Sequence, residues 1–396
     1  MLTLDKVFSA QAVLKSIVRE TKLVRAYGIA TDCELYLKPE NLQITGSFKV
    51  RGSAYKIAML TDEEKKKGVI ACSAGNHAQG VALAATKNGI KSLICLPDTA
   101  PISKIEATKG FGADVCLVEG CCDDAYQKAL ELRDEKGYTF VHPFDDENVI
   151  AGQGTIALEV LNELDNIDAI VVPVGGGGLI SGIAYTVKQI RPSVKVYGVQ
   201  VKGAASMYNS VHDGKIECLP SVQTIADGIA VKQPGENTFR LVSDYVDEIA
   251  LVSDDEVASA ILALIEKQKM IAEGAGAASV AAVMFDKFNL KGKRVVSIVS
   301  GGNIDVTSLS RVIDRGLLNS GRSSSLLIEL MDKPGQLKNI SRIIADCGGN
   351  VTGVHYEKGN TESVNGCYLR IEMETRDFEH VNLITQSLRS EGFKIV

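Results

Sequence analysis

The stretch GVIACSAGNHAQGVALAATKNGIKSLICLPD, residues 68–98, carries the alternation from which the fold follows. A short apolar run, VIACSA, leads through a glycine turn into the longer amphipathic HAQGVALAATKNG, and a second apolar run, SLICLPD, comes next. The same order continues with ISKIEATKG, ADVCLVEG and DDAYQKALELRDEKG. Strand and helix alternating in this way predict a parallel sheet with helices on both faces. After YTFVHPF there is a long helical stretch, NVIAGQGTIALEVLNEL, and the alternation resumes with DAIVVPV, SGIAYTVKQI, VKVYGVQV and RVVSIVSGGN, leading into DVTSLSRVIDRGL. The restart predicts two α/β lobes facing a shared cleft, with ligands beyond the carboxyl ends of the strands.

Composition narrows the function classes. With 396 residues and 45% hydrophobic content the chain can bury more than one core. A net charge of −6 without long blocks of like charge argues against a nucleic-acid footprint and a basic membrane surface. No apolar run approaches the ~20 residues of a membrane span, and the N-terminus lacks the pattern of a secretory signal, so a cytoplasmic protein is expected. Its partner is then a small molecule or another subunit. Nine cysteines without a CxxC pair argue against a disulfide framework and read as mostly buried small hydrophobes. Five scattered histidines lack metal-ligand spacing.

Four glycine-centred loops follow apolar strands, where sites are commonly built. In ENLQITGSFKVRG, residues 40–52, Thr45, Gly46 and Ser47 provide a turn and a cap for a helix starting near Lys49 and Arg51. Exposed cations at a helix start cost only about 0.3–1 kcal/mol each, so tolerance alone accounts for them as well as function does. The run PVGGGGLISG lets backbone N–H groups converge at a helix N-terminus, an anion cradle suited to a phosphate. No Lys follows, which disfavours an ATP-type loop, and tight helix–strand packing is the alternative. SAGNHAQG can hold a carboxylate through Ser73, Gly75, Asn76 and the following amides, or can be a capped helix start. SGGN, residues 300–303, is the fourth loop. A phosphate loop, a carboxylate loop and one lysine at a helix start suggest an amine kept partly neutral to attack a carbonyl.

Beyond NSGRSSS, residues 319–325, which reads as a linker, the order is LLIELM, GQLKNISRIIADCG, NVTGVHYEK, a turn at GNTES, GCYLRIEMET, FEHVNLITQSLRSEG and FKIV. This is β-α-β-β-α-β, the ferredoxin-like arrangement.

ENLQITGSFKVRG resembles the lysine motif of the fold-type II pyridoxal-phosphate enzymes, the tryptophan synthase β-like family, and specifically its serine/threonine dehydratase branch. The resemblance runs from about residue 5 to 320 and takes in all four loops in order. It implies a pyridoxal-phosphate-dependent catalytic domain over 1–320, with a small lobe at about 45–145 inserted in the large one. Lys49 would carry the cofactor as a Schiff base and then act as base, with Ser73 as a second catalytic residue. Phe48 would lie against the ring, Asn76 would bond its 3-hydroxyl, and Gly175, Gly176, Gly177, Gly178 and Leu179 would hold the phosphate. Ser300 would face the pyridine nitrogen, a weaker electron sink than a carboxylate partner provides. The segment Ser73, Ala74, Gly75, Asn76 and His77 would hold the substrate carboxylate.

The implied activity is dehydration and deamination of L-threonine to 2-oxobutanoate and ammonia, with L-serine to pyruvate beside it. A β-replacement synthase of the same fold and a non-catalytic amino-acid sensor are the alternatives. Related serine racemases carry a second serine where this chain has Ala74, which disfavours racemisation. Relatives with a cation near the cofactor use an acidic residue at Gln200. The change leaves no certain metal site, only a monovalent ion near Ala204 and Ser206. Glu273 matches a family glutamate near the cofactor or is a helix-start carboxylate.

Residues 321–396 resemble an ACT domain, with an amino-acid or nucleotide effector at Pro334, Gly335, Gln336 and Leu337 facing Asn350, or a role in dimerisation only. Its single copy puts isoleucine feedback in doubt. An exposed sheet edge suggests a homodimer or homotetramer.

Overall fold

Buried β-branched runs set the strand positions in the computed structural model, which describes residues 1–30, 32–358 and 366–396. The larger sheet has six strands in the order Val24–Arg25, Glu34–Pro39, Arg294–Val299, Ala169–Pro173, Lys195–Val201 and Glu248–Val252. All neighbours are parallel except the antiparallel first pair. The smaller sheet orders Asp114–Val118, Ser92–Pro97, Val69–Cys72 and Thr139–Phe140, all parallel. Its strands fall in the chain between Glu34–Pro39 and Ala169–Pro173. Both sheets are flanked by helices, as the alternation predicts. The run YTFVHPF yields only the two-residue strand Thr139–Phe140, because the chain turns away at Pro143 to line a cavity.

The two helices Glu147–Glu163 and Gly178–Ile190 pack so closely that a Cβ on Gly182 would lie 2.3 Å from the Ile150 carbonyl. The second glycine of GLISG therefore serves packing.

Strand Glu34–Pro39 reads poorly as a core strand because it contains a lysine. Lys38 is nonetheless fully buried, its Nζ 2.5 Å from Glu159 Oε2 and also donating to the Thr21 carbonyl. Arg51, equally buried, donates through Nε and Nη2 to Glu40 at 2.8 Å each, and through Nη1 and Nη2 to Glu159 at 2.6 and 2.8 Å. Two cations and two carboxylates thus tie three elements together: the end of that strand, helix Lys49–Ala58 and helix Glu147–Glu163. Burial alone raises the Glu40 carboxyl, but the Arg51 guanidinium more than offsets this and holds it below its usual range. The expectation of a tolerated surface cation at Arg51 is wrong: a balanced internal cluster, not solvent, satisfies it.

Cap chemistry also departs from expectation. The residue before helix Lys49–Ala58 is Phe48 in a helical conformation, with no side-chain cap. Its N–H donates to the Ser300 carbonyl at 3.0 Å, Gly302 N–H donates to the Gly46 carbonyl at 2.9 Å, and Ser47 bridges Gly301. Tertiary strand pairing takes the place of the Ser/Thr cap. Of the nine free cysteines only Cys95 and Cys367 are buried, while Cys121, Cys122 and Cys218 are exposed. Helix starts and loops, rather than strand cores, hold the exposed ones.

Contacts divide the chain between Val306 and Thr307, not at 320. Helix Val306–Asn319 runs without a break to a turn at Gly321 (φ 67°) that leads directly into strand Ser323–Met331. NSGRSSS is accordingly no linker: Ser323, Ser324 and Ser325 pair with Glu374, Met373 and Glu372. The C-terminal sheet has the order Asn350–Lys358, Gly366–Glu374, Ser323–Met331, Lys394–Ile395, all antiparallel, with helices Gln336–Asp346 and Phe378–Ser390. This is the ferredoxin-like order. The expected turn GNTES, residues 359–363, lies outside the described residues.

One part of the effector reading fails here. Asn350 pairs with Glu374, which pairs with Ser323, whereas residues 334–337 follow Met331 at the far end of the same strand. Eight residues at about 3.3 Å each separate the two ends, so Asn350 cannot face Pro334–Leu337 within one chain. Its amide donates instead to Glu374 at 2.9 Å. Among the described residues no helix is long and apolar enough to cross a membrane.

Arg51→Ala leaves the buried Glu40 without its guanidinium partner and Glu159 with Lys38 alone. Breaking a buried pair typically costs about 3–5 kcal/mol, so urea unfolding of this variant is expected to show a loss of that order.

Candidate active site

A cavity of ≈ 450 Å³ opens at the carboxyl ends of the strands. Phe48, Lys49, Ser73, Ala74, Gly75, Asn76, His77, Gly175, Gly176, Gly177, Gly178, Leu179, Glu273 and Ser300 all line it. Residues up to 252 positions apart in sequence thus share one wall because every glycine loop leaves its strand in the same direction.

Lys49 is the first residue of its helix, and its amine faces the cavity, donating to the Pro143 carbonyl at 2.8 Å. The ammonium lies 5.4 Å from the centre of the Phe48 ring. Burial pulls the amine down to about 8, against the opposing pull of the Glu273 carboxylate. A helix N-terminus works in the same direction, since its free N–H groups disfavour a cation.

Two further helices point their N-termini at the cavity. Gly177 (φ 95°) precedes helix Gly178–Ile190, and among the described residues none of the amides from Gly175 to Leu179 donates to another backbone group. A Cβ on Gly176 would lie 2.5 Å from the Phe144 ring, and one on Gly177 2.6 Å from Met207 Cε. The cradle requires glycine at both positions. Gly75 precedes helix Asn76–Lys87, again with no side-chain cap, while Ser73 Oγ accepts from the Gly75 N–H at 3.1 Å. The capped-helix alternative for this loop therefore fails: Asn76 and Ser73 do not cap, and the first-turn amides are left for a ligand.

His77 lines the cavity with its ring engaged elsewhere. Its Nε2 lies 2.8 Å from the Val141 carbonyl, away from the cavity, and burial together with the Lys49 charge pushes the imidazole down to about 3. Only its backbone N–H is available to an anion. Glu273, at the start of helix Gly274–Met284, does not cap that helix either; it accepts from Asn76 Nδ2 at 2.7 Å. Burial, then the Asp227 charge, pushes its carboxyl up to about 7 despite that hydrogen bond.

Ser300 ends strand Arg294–Val299, nearly fully buried at the cavity wall, and its side chain has no hydrogen bond among the described residues. At the candidate cation position, Gln200 Oε1 accepts from the Tyr208 N–H at 2.7 Å and Ser206 Oγ donates to the Val231 carbonyl at 2.7 Å. Among the described residues no cluster of three His, Cys, Asp or Glu suits a metal ion.

Several cavity residues escaped the sequence reading. Lys104 and Asp227 face each other across the opening at 2.7 Å, and Lys232 and Asp123 join the same two parts of the unit at 2.8 Å. Segment 227–231 shows no periodicity that would place it. Asn303 lay within SGGN, but its role depends on partners far away in the chain.

The anion cradle, the depressed amine, the open Asn76 and Ser300 groups and the flanking sheets suit a phosphorylated aldehyde cofactor. The sequence profile of pyridoxal-phosphate dependent enzymes matches residues 14–301, and the chain belongs to that family. Relatives identify the branch. An L-threonine ammonia-lyase of Thermotoga maritima is 48% identical over all of this chain and 99% of its own, and one of Geobacter sulfurreducens is 42% identical with the same coverage. Among solved structures, the processed form of threonine deaminase isoform 2 from Solanum lycopersicum superposes with a TM-score of 0.75. It is 38% identical over 79% of this chain and 94% of that one. Maize serine racemase reaches 0.75 at 35% identity over 80% of this chain and 98% of its own.

Glu273 holds a proton in the folded chain up to about pH 7 that an unfolded carboxyl loses near 4.5. Its contribution to stability is therefore fully present below the lower value and is lost as pH rises through the higher one. Urea unfolding of cofactor-free full-length protein at roughly pH 5 and pH 8 is expected to show this loss, and Glu273→Gln to reduce it.

Proposed function

We propose that the chain is an L-threonine ammonia-lyase, forming 2-oxobutanoate and ammonia, with L-serine converted to pyruvate as a second activity. The observation that carries this is a lysine amine held near pKa 8 between two uncapped helix N-termini in one cavity. When bound, pyridoxal phosphate supplies the electron sink that makes the substrate Cα proton removable.

The chain's own groups divide the work. Amides of Gly175 to Leu179 would hold the phosphate, Phe48 would lie against the ring and an Asn76 N–H would meet the ring hydroxyl. The Ser300 hydroxyl would meet the ring nitrogen, a weaker partner for it than a carboxylate. Ser73 and the amides of the 73–77 segment hold the substrate carboxylate. Lys49 would hold the cofactor aldehyde at rest and, as a free amine, would take the substrate Cα proton and deliver a proton to the departing hydroxyl. Its lowered pKa makes both transfers feasible near neutral pH. Ala74 has no proton to give, which supports elimination over racemisation.

The C-terminal unit supports a regulatory reading. Gly335 (φ 92°) starts helix Gln336–Asp346, and Gln336 lines a ≈ 480 Å³ surface cavity with Asn339, Glu329 and Lys394. This cavity supports the reading of an amino-acid or nucleotide effector, although of Pro334, Gly335, Gln336 and Leu337 only Gln336 lines it. Strand Asn350–Lys358 is a sheet edge, with Val354 and Tyr356 exposed, which supports a homodimer or homotetramer.

Purified, cofactor-loaded protein is expected to release 2-oxo acid from L-threonine and L-serine, measured by a coupled dehydrogenase assay. Lys49→Ala should lower turnover by roughly 10²–10⁴-fold, the usual worth of a positioned acid–base group, and remove the bound cofactor's visible absorbance. Release that depends on an added thiol would instead identify a β-replacement synthase.

A further inference from the structure

Asn76 has an amide whose orientation decides what it offers the cavity. Its Oδ1 accepts from Asn303 Nδ2 at 2.7 Å, and its Nδ2 donates to Glu273 Oε1 at 2.7 Å. Rotating the amide by a half turn would set its NH₂ against the Asn303 NH₂, a contact that cannot survive whether or not Glu273 carries a proton. One Nδ2 hydrogen remains without an acceptor among the described residues, on a side chain that lines the cavity.

Asn303 is itself fixed. Its second Nδ2 hydrogen goes to the Thr45 carbonyl at 2.7 Å, four residues before Lys49, and its backbone N–H reaches the Glu273 carboxylate. With both side-chain hydrogens on oxygen acceptors, the Asn303 amide cannot turn over without opposing oxygen to oxygen. The surroundings are shaped to this arrangement. A Cβ on Gly46 (φ 68°) would come within 2.2 Å of Asn303 Oδ1, and one on Gly301 within 2.5 Å of Glu273 Oε1. Asn303, Asn76 and Glu273 thus close a hydrogen-bond ring drawn from three loops, with an arm to the turn that carries Lys49.

We infer that Asn303 is a positioning residue: it locks the Asn76 amide in the orientation that leaves an N–H facing the cavity, and couples that amide to the Lys49 turn. The inference rests on the reading that Asn76 meets the cofactor ring hydroxyl. Asn303→Asp keeps the shape but places a carboxylate oxygen against the Thr45 and Asn76 oxygens, favouring the turned-over Asn76.

The test titrates cofactor-stripped, full-length protein with pyridoxal phosphate, following the visible absorbance for wild type, Asn303→Asp, Asn76→Ala and the double variant. Asn303→Asp is expected to weaken binding roughly 3–10-fold, the worth of one neutral hydrogen bond, and to shift the absorbance band. The same change in the Asn76→Ala background should then have no further effect on affinity. An equal loss in both backgrounds, or a folded Asn303→Asp protein with unchanged affinity and spectrum, overturns the inference. If Asn303→Asp does not fold, Asn303→Ala, which removes the amide without adding charge, is read in the same cycle. A wild-type chain with no Lys49-dependent absorbance would overturn the cofactor reading itself, and is distinct from either result.

Discussion

Everything at the cavity depends on keeping one lysine amine out of bulk water without letting it wander. An exposed lysine is almost fully charged at neutral pH and cannot act as a nucleophile or base; burial brings Lys49 to about 8, and its helix start disfavours the cation in the same direction. That desolvation favours neither the ammonium nor a fixed position. The position is supplied two residues further on, where Arg51 is clamped between Glu40 and Glu159. A buried ion cluster is weak evidence for stability in itself. Here it joins the strand end, the lysine helix and the long helix behind them, and so sets where the amine points.

The glycines show how the same residue type serves two purposes within a few positions. Gly176 and Gly177 keep the cradle open and its amides free, whereas Gly182 allows two helices to touch through their backbones. The two readings of PVGGGGLISG, anion cradle and close packing, are both correct for different glycines. Relatives named for threonine ammonia-lyase match across the full chain, so the ferredoxin-like unit is part of what they share with it.

Much of the fold was legible because strand and helix periodicities are local. Each strand of the two α/β sheets that the pattern announces is present, and the C-terminal β-α-β-β-α-β order is observed. Strand Glu34–Pro39 was obscured by Lys38, whose charge is neutralised by Glu159, 121 residues away. The supposed linker at 319–325 failed for a related reason: serines tolerate turns, but pairing with Gly366–Glu374 makes three of them a strand. Asn350 was misplaced because a sheet has two ends and a sequence pattern does not say which loop lies at which.

By itself, then, the sequence determined the elements, the four glycine loops and the presence of a lysine at a helix start, since these depend on neighbours within a few residues. Only the tertiary structure decided which groups are free to act. It turned His77 away toward Val141, brought Glu273 to Asn76 across 197 positions, and placed Asn303 between Asn76 and Thr45. The reason is physical: the protonation state and orientation of a polar group are set by burial and by its hydrogen-bond partners, and those partners come from parts of the chain that only folding brings together.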